Sequence, residues 1–155
     1  MRGRSAPAAL LLLAACATAP AATPIPTTRI VAAPVDQVRQ RVVTAIRDLG
    51  FTPETTPTGV EAVARGSASP DWADCRRVLI SYDQDDGPPR SSWQSPQARR
   101  ARIAVSVTPA EGRGTRVSVD PRFSATYRDP YRNSPVEHGC ASTGVLESRL
   151  LDEVG

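Results

Sequence analysis

Apolar residues recur at steps of three and four in the segment VDQVRQRVVTAIRDLG, directly after Pro34. One apolar stripe is formed by Val35, Val38, Val42, Ala45, Ile46 and Leu49. Proline suits the first turn of a helix, and Gly50 suits a helix end. The pattern predicts an amphipathic helix whose stripe faces a hydrophobic core.

A second helical pattern covers residues 143–154, with its apolar positions on one face at Leu146, Leu150, Leu151 and Val154. A serine or threonine at its start is a suitable cap, and Glu147 in the first turn suits the helix dipole. We therefore expect a helix near the end of the printed sequence.

Alternating apolar and polar residues between the two helices predict antiparallel strands. The clearest hairpin joins residues 102–108 to residues 115–127, and Pro121 marks an edge position or a bulge there. Shorter strands are predicted at residues 29–32, 51–55, 60–66 and 77–82, and the polar segment 83–98 is predicted to be a loop. The order of elements predicts an α+β domain, with an antiparallel sheet of about 4–6 strands and two helices packed on one face.

The first residues have a different pattern from the rest of the chain. Residues 1–15 combine a basic head, Arg2 and Arg4, with an apolar run at residues 8–13 and small residues after it. This layout is typical of a secretory signal peptide and is too short for a membrane span. Residues 16–26 read as a cysteine followed by a proline- and alanine-rich tether, and residues 27–155 as a single domain.

The four residues Leu13-Ala14-Ala15-Cys16 resemble the lipobox of bacterial lipoproteins. The resemblance implies cleavage before Cys16 and its modification with acyl chains such as palmitate. Ala17 is not the aspartate that retains such proteins at the inner membrane, which implies an anchor in the outer membrane, facing the periplasm. The alternative is an ordinary signal peptide with a chance cysteine.

The charge and the cysteine content limit the classes of function that the sequence allows. Arg2 and Arg4 are removed with the signal peptide, so 17 of the 19 basic residues remain, against 16 acidic residues. This nearly neutral balance does not indicate binding of nucleic acid. Of the three cysteines, Cys16 is assigned to the lipid, which leaves Cys75 and Cys140 as an even pair in an oxidising compartment. We expect a disulfide between them.

Two alternatives for Cys140 and the acidic residues stay open. His138, the only histidine, precedes Cys140 by two positions at an apparent helix start, so a thiol nucleophile with its base is conceivable. A calcium loop at Asp83, Asp85 and Asp86 lacks the glutamate that such a loop needs. We predict a disulfide, a solvated turn, no metal, no cofactor and no catalytic residue.

One segment is a candidate surface for a partner. RFSATYRDPYRNSP interleaves arginines with aromatic residues, types that are enriched at interface hot spots. The predicted patch consists of Arg122, Phe123, Tyr127, Arg128, Tyr131 and Arg132. The alternative is an ordinary strand end with exposed side chains.

The lipobox, the tether, the element order and the terminal segment CASTGVLE together resemble small proteobacterial envelope lipoproteins. The domain is also loosely similar to the helix-grip domains of the barrel-assembly lipoprotein BamC. The resemblance implies a non-catalytic interaction or scaffold module with an envelope protein as partner and the membrane contacted through the lipid. The alternative function is binding of a small apolar or lipidic ligand between helix and sheet.

Overall fold

The computed structural model of the protein describes residues 24–84, 87–112 and 114–155. Its elements in chain order are β1 Thr28–Val31, α1 Val35–Asp48, β2 Phe51–Thr56, β3 Gly59–Ala64, β4 Ala73–Asp74, β5 Val78–Gln84, β6 Gly87–Gln94, β7 Ala98–Pro109, β8 Thr115–Arg128, β9 Pro135–Ser142 and α2 Val145–Val154. The two predicted helices and the central hairpin are present, with β7 and β8 longer than predicted.

The main sheet has seven strands in the described part of the chain, all paired antiparallel. Its order is β2-β3-β7-β8-β9-β4, and β1 pairs with the first part of β8. Strands β5 and β6 form a separate two-stranded sheet. The α+β class is therefore confirmed. The main sheet has more strands than the expected 4–6, because the two-residue β4 and the polar β9 carry no clear alternation.

Both helices pack on one face of the main sheet. The stripe of α1 contributes Val38, Val42 and Ile46, which have no exposed surface, and Leu146 and Leu150 of α2 are equally buried. They meet alternate side chains of β7 and β8, because successive residues of a strand point to opposite faces. The opposite face of the sheet carries polar side chains and is exposed, as is common for antiparallel sheets.

Pro121 lies where β8 has a neighbour on one side only. It is the register partner of Ile103 in β7, without a break in the pairing. On its other side β8 pairs with β1 up to Ser118 and with β9 from Phe123 onward. The missing N–H of proline is tolerated at this local edge, as the sequence predicted.

Two segments without a predicted strand form strands. The polar segment 83–98, predicted to be a loop, contains β6, whose residues 90–94 pair with β5 in continuous register. Residues 135–142, whose His138 and Cys140 were expected at a helix start, form β9 against β8. Both predictions were wrong for the same reason: strands with one face in solvent need few apolar residues, and backbone pairing holds them in place.

The start of α2 also differs from the predicted cap. The N-cap residue is Gly144 at φ 83°, a left-handed conformation that glycine adopts without strain. Ser142 lies just before it, accepts a hydrogen bond of 3.0 Å from the Gly144 N–H and donates one of 2.6 Å to the Glu147 carboxylate. Glu147 is 1% exposed, so the serine supplies a partner to a buried carboxylate.

Candidate interaction site

The predicted aromatic and arginine patch is not one surface. Phe123 and Tyr127 of β8 point to the helix side of the sheet and are 6% and 1% exposed. Arg122 and Arg128 point to the opposite, solvent-exposed face. The strand alternates with a period of two, so residues at odd and even positions cannot share a surface. The prediction that these arginine and aromatic residues form one surface patch was therefore wrong.

The last two residues of that patch, Tyr131 and Arg132, contact the small sheet. The ring of Tyr131 stacks on Tyr82 of β5 with the centroids 5.8 Å apart. The Arg132 guanidinium lies 5.9 Å from the centroid of the same Tyr82 ring. Asp129 holds the turn that carries both residues, because its carboxylate accepts hydrogen bonds from their backbone N–H groups at 2.8 and 3.1 Å.

Strands β5 and β6 form a hairpin that displays an apolar pair to solvent. Leu79 and Trp93 are register partners and are 49% and 56% exposed. The Arg77 guanidinium lies 6.0 Å from the Trp93 ring centroid, a cation–π contact. Val78 and Ile80, on the other face of β5, are half-buried. The hairpin therefore has an inner face and an exposed outer face.

The root of this hairpin is held by a disulfide. Cys75 and Cys140 are bonded, with their Cα atoms 4.7 Å apart, so the predicted disulfide is present in the structure. The pairing Asp74↔Ala141 of β4 and β9 immediately precedes it. The disulfide thus joins neighbouring chain segments at the point where the residues leading to β5 leave the edge of the main sheet.

A hydrogen bond adds a second tie at the root. The buried Tyr127 donates its hydroxyl proton to the backbone carbonyl of Arg76 at 2.8 Å. The disulfide and this hydrogen bond hold the hairpin at its root, and the Tyr82–Tyr131 stack holds it along its inner face. A two-stranded hairpin alone is marginal in water, so these ties position the outer face.

His138 lies on β9 with its side chain exposed. Its ring meets Tyr127 edge-on, with centroids 5.4 Å apart and an angle of 83° between the planes. The sulfur of Cys140 is bonded to Cys75, so in this state it is not a free thiol beside the histidine. The geometry gives His138 a packing contact with the aromatic residue that ties the hairpin.

The interface between helices and sheet is filled by side chains in the part of the chain that the structure describes. Val42 and Ile46 of α1 have no exposed surface at this interface, and Val105 of β7 has 1%. An open groove of about 720 Å³ instead lies on the outside, between residues 24–26 and the start of α2 at Val145. Binding of a small ligand between helix and sheet, the alternative function, stays a prediction.

Among residues 24–84, 87–112 and 114–155, no group of three or more His, Cys, Asp and Glu side chains comes together. None of the helices is both long enough and apolar enough to cross a bilayer. Asp83 is exposed, whereas Asp85 and Asp86 lie outside the described residues. The predicted signal peptide, Cys16 and most of the predicted tether also lie outside them.

Comparison of the chain with known protein families and with curated proteins finds no match. The role of the site is therefore inferred from its geometry. Sequence reasoning missed the pairing of its two outer residues, Leu79 and Trp93, because segment 83–98, which contains Trp93, was predicted to be a loop. The dipeptide Asp86-Gly87, a strong hairpin signal between RVLISY and RSSWQ, could have identified it.

Proposed function

We propose that this protein is a lipid-anchored protein of the bacterial cell envelope, held at the outer membrane through Cys16 and facing the periplasm. Its domain acts as a non-catalytic interaction module for an envelope protein. The lipobox-like residues 13–16 and the uncharged tether after them support the anchor. The disulfide supports the compartment, because such bonds persist in the periplasm and are rare in the cytosol.

One observation supports the interaction role most strongly. The outer face of the β5–β6 hairpin exposes Trp93 beside Leu79, and contacts with the main sheet hold this hairpin in place. Tryptophan and arginine are enriched among residues that dominate binding energy, and Arg77 lies against this tryptophan. A surface that is already ordered loses less conformational entropy when a partner binds. The ties at the hairpin root provide that order.

Crosslinking in cells tests the interaction role. A photoreactive amino acid replaces Trp93 in one strain and Thr58, an exposed residue of the turn between β2 and β3, in a control strain. We expect an adduct with a defined envelope protein from position 93 and none of that mass from position 58. If both positions give the same adducts, or neither gives any, the hairpin is not the interaction surface.

The anchor is tested separately by labelling cells with an alkyne analogue of palmitate. We expect wild type to take up the label and fractionate with the outer membrane. The Cys16→Ser variant should lose both properties. The matched control is the variant Cys75→Ala/Cys140→Ala, which keeps Cys16 and should keep the label. Labelling of Cys16→Ser at the wild-type level would refute the assignment of the anchor.

A further inference from the structure

The exposed face of the main sheet carries two neighbouring rows of opposite charge across β2, β3, β7 and β8. The registers define the first row as Glu54, Glu61, Ala104 and Asp120. They define the second row as Thr52, Val63, Arg102 and Arg122. All eight residues are exposed, and all eight line one groove of about 480 Å³.

Each row contains a pair of like charges directly opposite each other. Glu54 and Glu61 are register partners, and so are Arg102 and Arg122. Such pairs destabilise a sheet, because the Cβ atoms of cross-strand partners are only about 4.5–5.5 Å apart. The arrangement therefore costs some stability, which a ligand with complementary charges would offset.

The domain neutralises this charge only in part. Arg122 lies 3.6 Å from Asp120, and both side chains are largely exposed, so the pair contributes little. Glu54, Glu61 and Arg102 make no ion pair with any other residue that the structure describes. Two carboxylates and one guanidinium on the same groove are thus available to a ligand.

We propose that this groove binds a small zwitterion, a short peptide with a free carboxylate and a free ammonium group. Arg102 and Arg122 bind the carboxylate, since guanidinium groups match its planar geometry. Glu54 and Glu61 bind the ammonium group. Glu61 on β3 and Arg102 on β7 are diagonal neighbours, since Glu61 pairs with Ala104, and such neighbours are about 7–8 Å apart. This separation suits the two charged ends of a dipeptide.

The floor of the groove fits the same class of ligand. Val63 is 49% exposed and lies in the arginine row, next to the small Ala104 of the acidic row. An apolar side chain of the ligand can rest there while its charged ends contact the two rows. A simple anion would use the arginines alone and leave the opposed glutamates uncompensated.

Titration of the ¹⁵N-labelled full chain with three forms of alanyl-alanine near pH 7 tests the proposal. We expect the free dipeptide to shift the amide signals of residues 52–54, 61–63, 102–104 and 120–122. The N-acetylated form lacks the ammonium group and the C-terminal amide lacks the carboxylate, so each should bind about tenfold more weakly or worse. Equal binding of the acetylated form would reduce the groove to an anion site and overturn the proposal, as would no shift at these residues.

A variant pair separates binding from folding. Arg102→Gln should weaken binding of the free dipeptide about tenfold or more. It should also keep or raise the midpoint of thermal unfolding, because it removes the repulsion from Arg122. Arg116→Gln, which loses the same charge from exposed β8 outside the groove, should bind like wild type. Equal effects of the two variants would contradict the assignment. The test does not depend on Cys16 or the hairpin, so its failure leaves the proposed function standing.

Discussion

The hydroxyl group of Tyr127, on the buried face of β8, donates a 2.8 Å hydrogen bond to the backbone carbonyl of Arg76, at the root of the β5–β6 hairpin. The two residues are 51 positions apart in the chain. The contact joins the main sheet to the hairpin beside the Cys75–Cys140 disulfide. It explains why an aromatic residue of the predicted surface patch is buried: its ring packs inside, and its polar end holds the hairpin.

Tyr127→Phe should loosen the hairpin and keep the fold. Phenylalanine retains the ring and loses the hydrogen bond to Arg76, which should lower the free energy of unfolding by about 0.5–1.5 kcal/mol. Urea unfolding measures this change, and hydrogen exchange should rise in residues 78–94. Tyr131→Phe is the control, because its hydroxyl bonds to no residue that the structure describes. An equal loss of unfolding free energy in the two variants would contradict a stabilising role for the hydrogen bond from Tyr127 to Arg76.

Stability should fall at alkaline pH through the same residue. Burial raises the pKa of Tyr127 above its usual value; the nearby Arg99 opposes the shift and Asp74 adds to it. In the unfolded chain the phenol loses its proton near pH 10, whereas the folded protein still holds it. The unfolded state then binds fewer protons, so the free energy of unfolding declines as the pH rises above about 10. Unfolding midpoints of wild type and Tyr127→Phe should converge over this range, and a constant difference would contradict the assignment.

Loss of the disulfide should be the most costly change at the hairpin root. Cys75 and Cys140 are 65 positions apart, and closing such a loop constrains the unfolded chain by about 4 kcal/mol on the chain-entropy model. The variant Cys75→Ala/Cys140→Ala should therefore unfold at a much lower urea concentration. Reductant should lower the wild-type midpoint toward that of the variant and leave the variant unchanged. A wild type insensitive to reductant under unfolding conditions would argue against the bond.

Gly59→Ala should destabilise the pairing of β3 with β7 in the main sheet. A Cβ atom at Gly59 would lie 1.9 Å from the backbone carbonyl oxygen of Val105, so strand β7 leaves no room for a side chain. The expected loss is about 1–3 kcal/mol in the free energy of unfolding, as for other overpacked sites. Gly66→Ala is the matched control, since nothing lies within 4 Å of its added Cβ. Thermal unfolding of both variants distinguishes them, and a Gly59→Ala midpoint equal to that of Gly66→Ala would refute the steric argument.

The elements that could be predicted from the sequence are those whose periodicity reports burial. The stripe of α1 and the alternation of β7 and β8 exist because one face meets the core, and the disulfide followed from cysteine count and compartment. Strand β9 has half-buried positions but no apolar alternation, so backbone pairing alone defines it. The patch prediction relied on residue types in Phe123 and Tyr127 and ignored the alternation that buries them.

The stack of Tyr82 on Tyr131 should couple the hairpin to the turn after β8. The rings lie 5.8 Å apart at 20°, a geometry that contributes about 0.5–1.5 kcal/mol beyond buried area. A double-mutant cycle with Tyr82→Ala, Tyr131→Ala and the double variant measures that coupling from urea unfolding. The control cycle pairs Tyr82→Ala with Val63→Ala, an exposed residue on the opposite face of the main sheet, and should give additive losses. Additive losses in the first cycle as well would mean that Tyr131 does not hold the hairpin, and the position of Trp93 would then depend on the root alone.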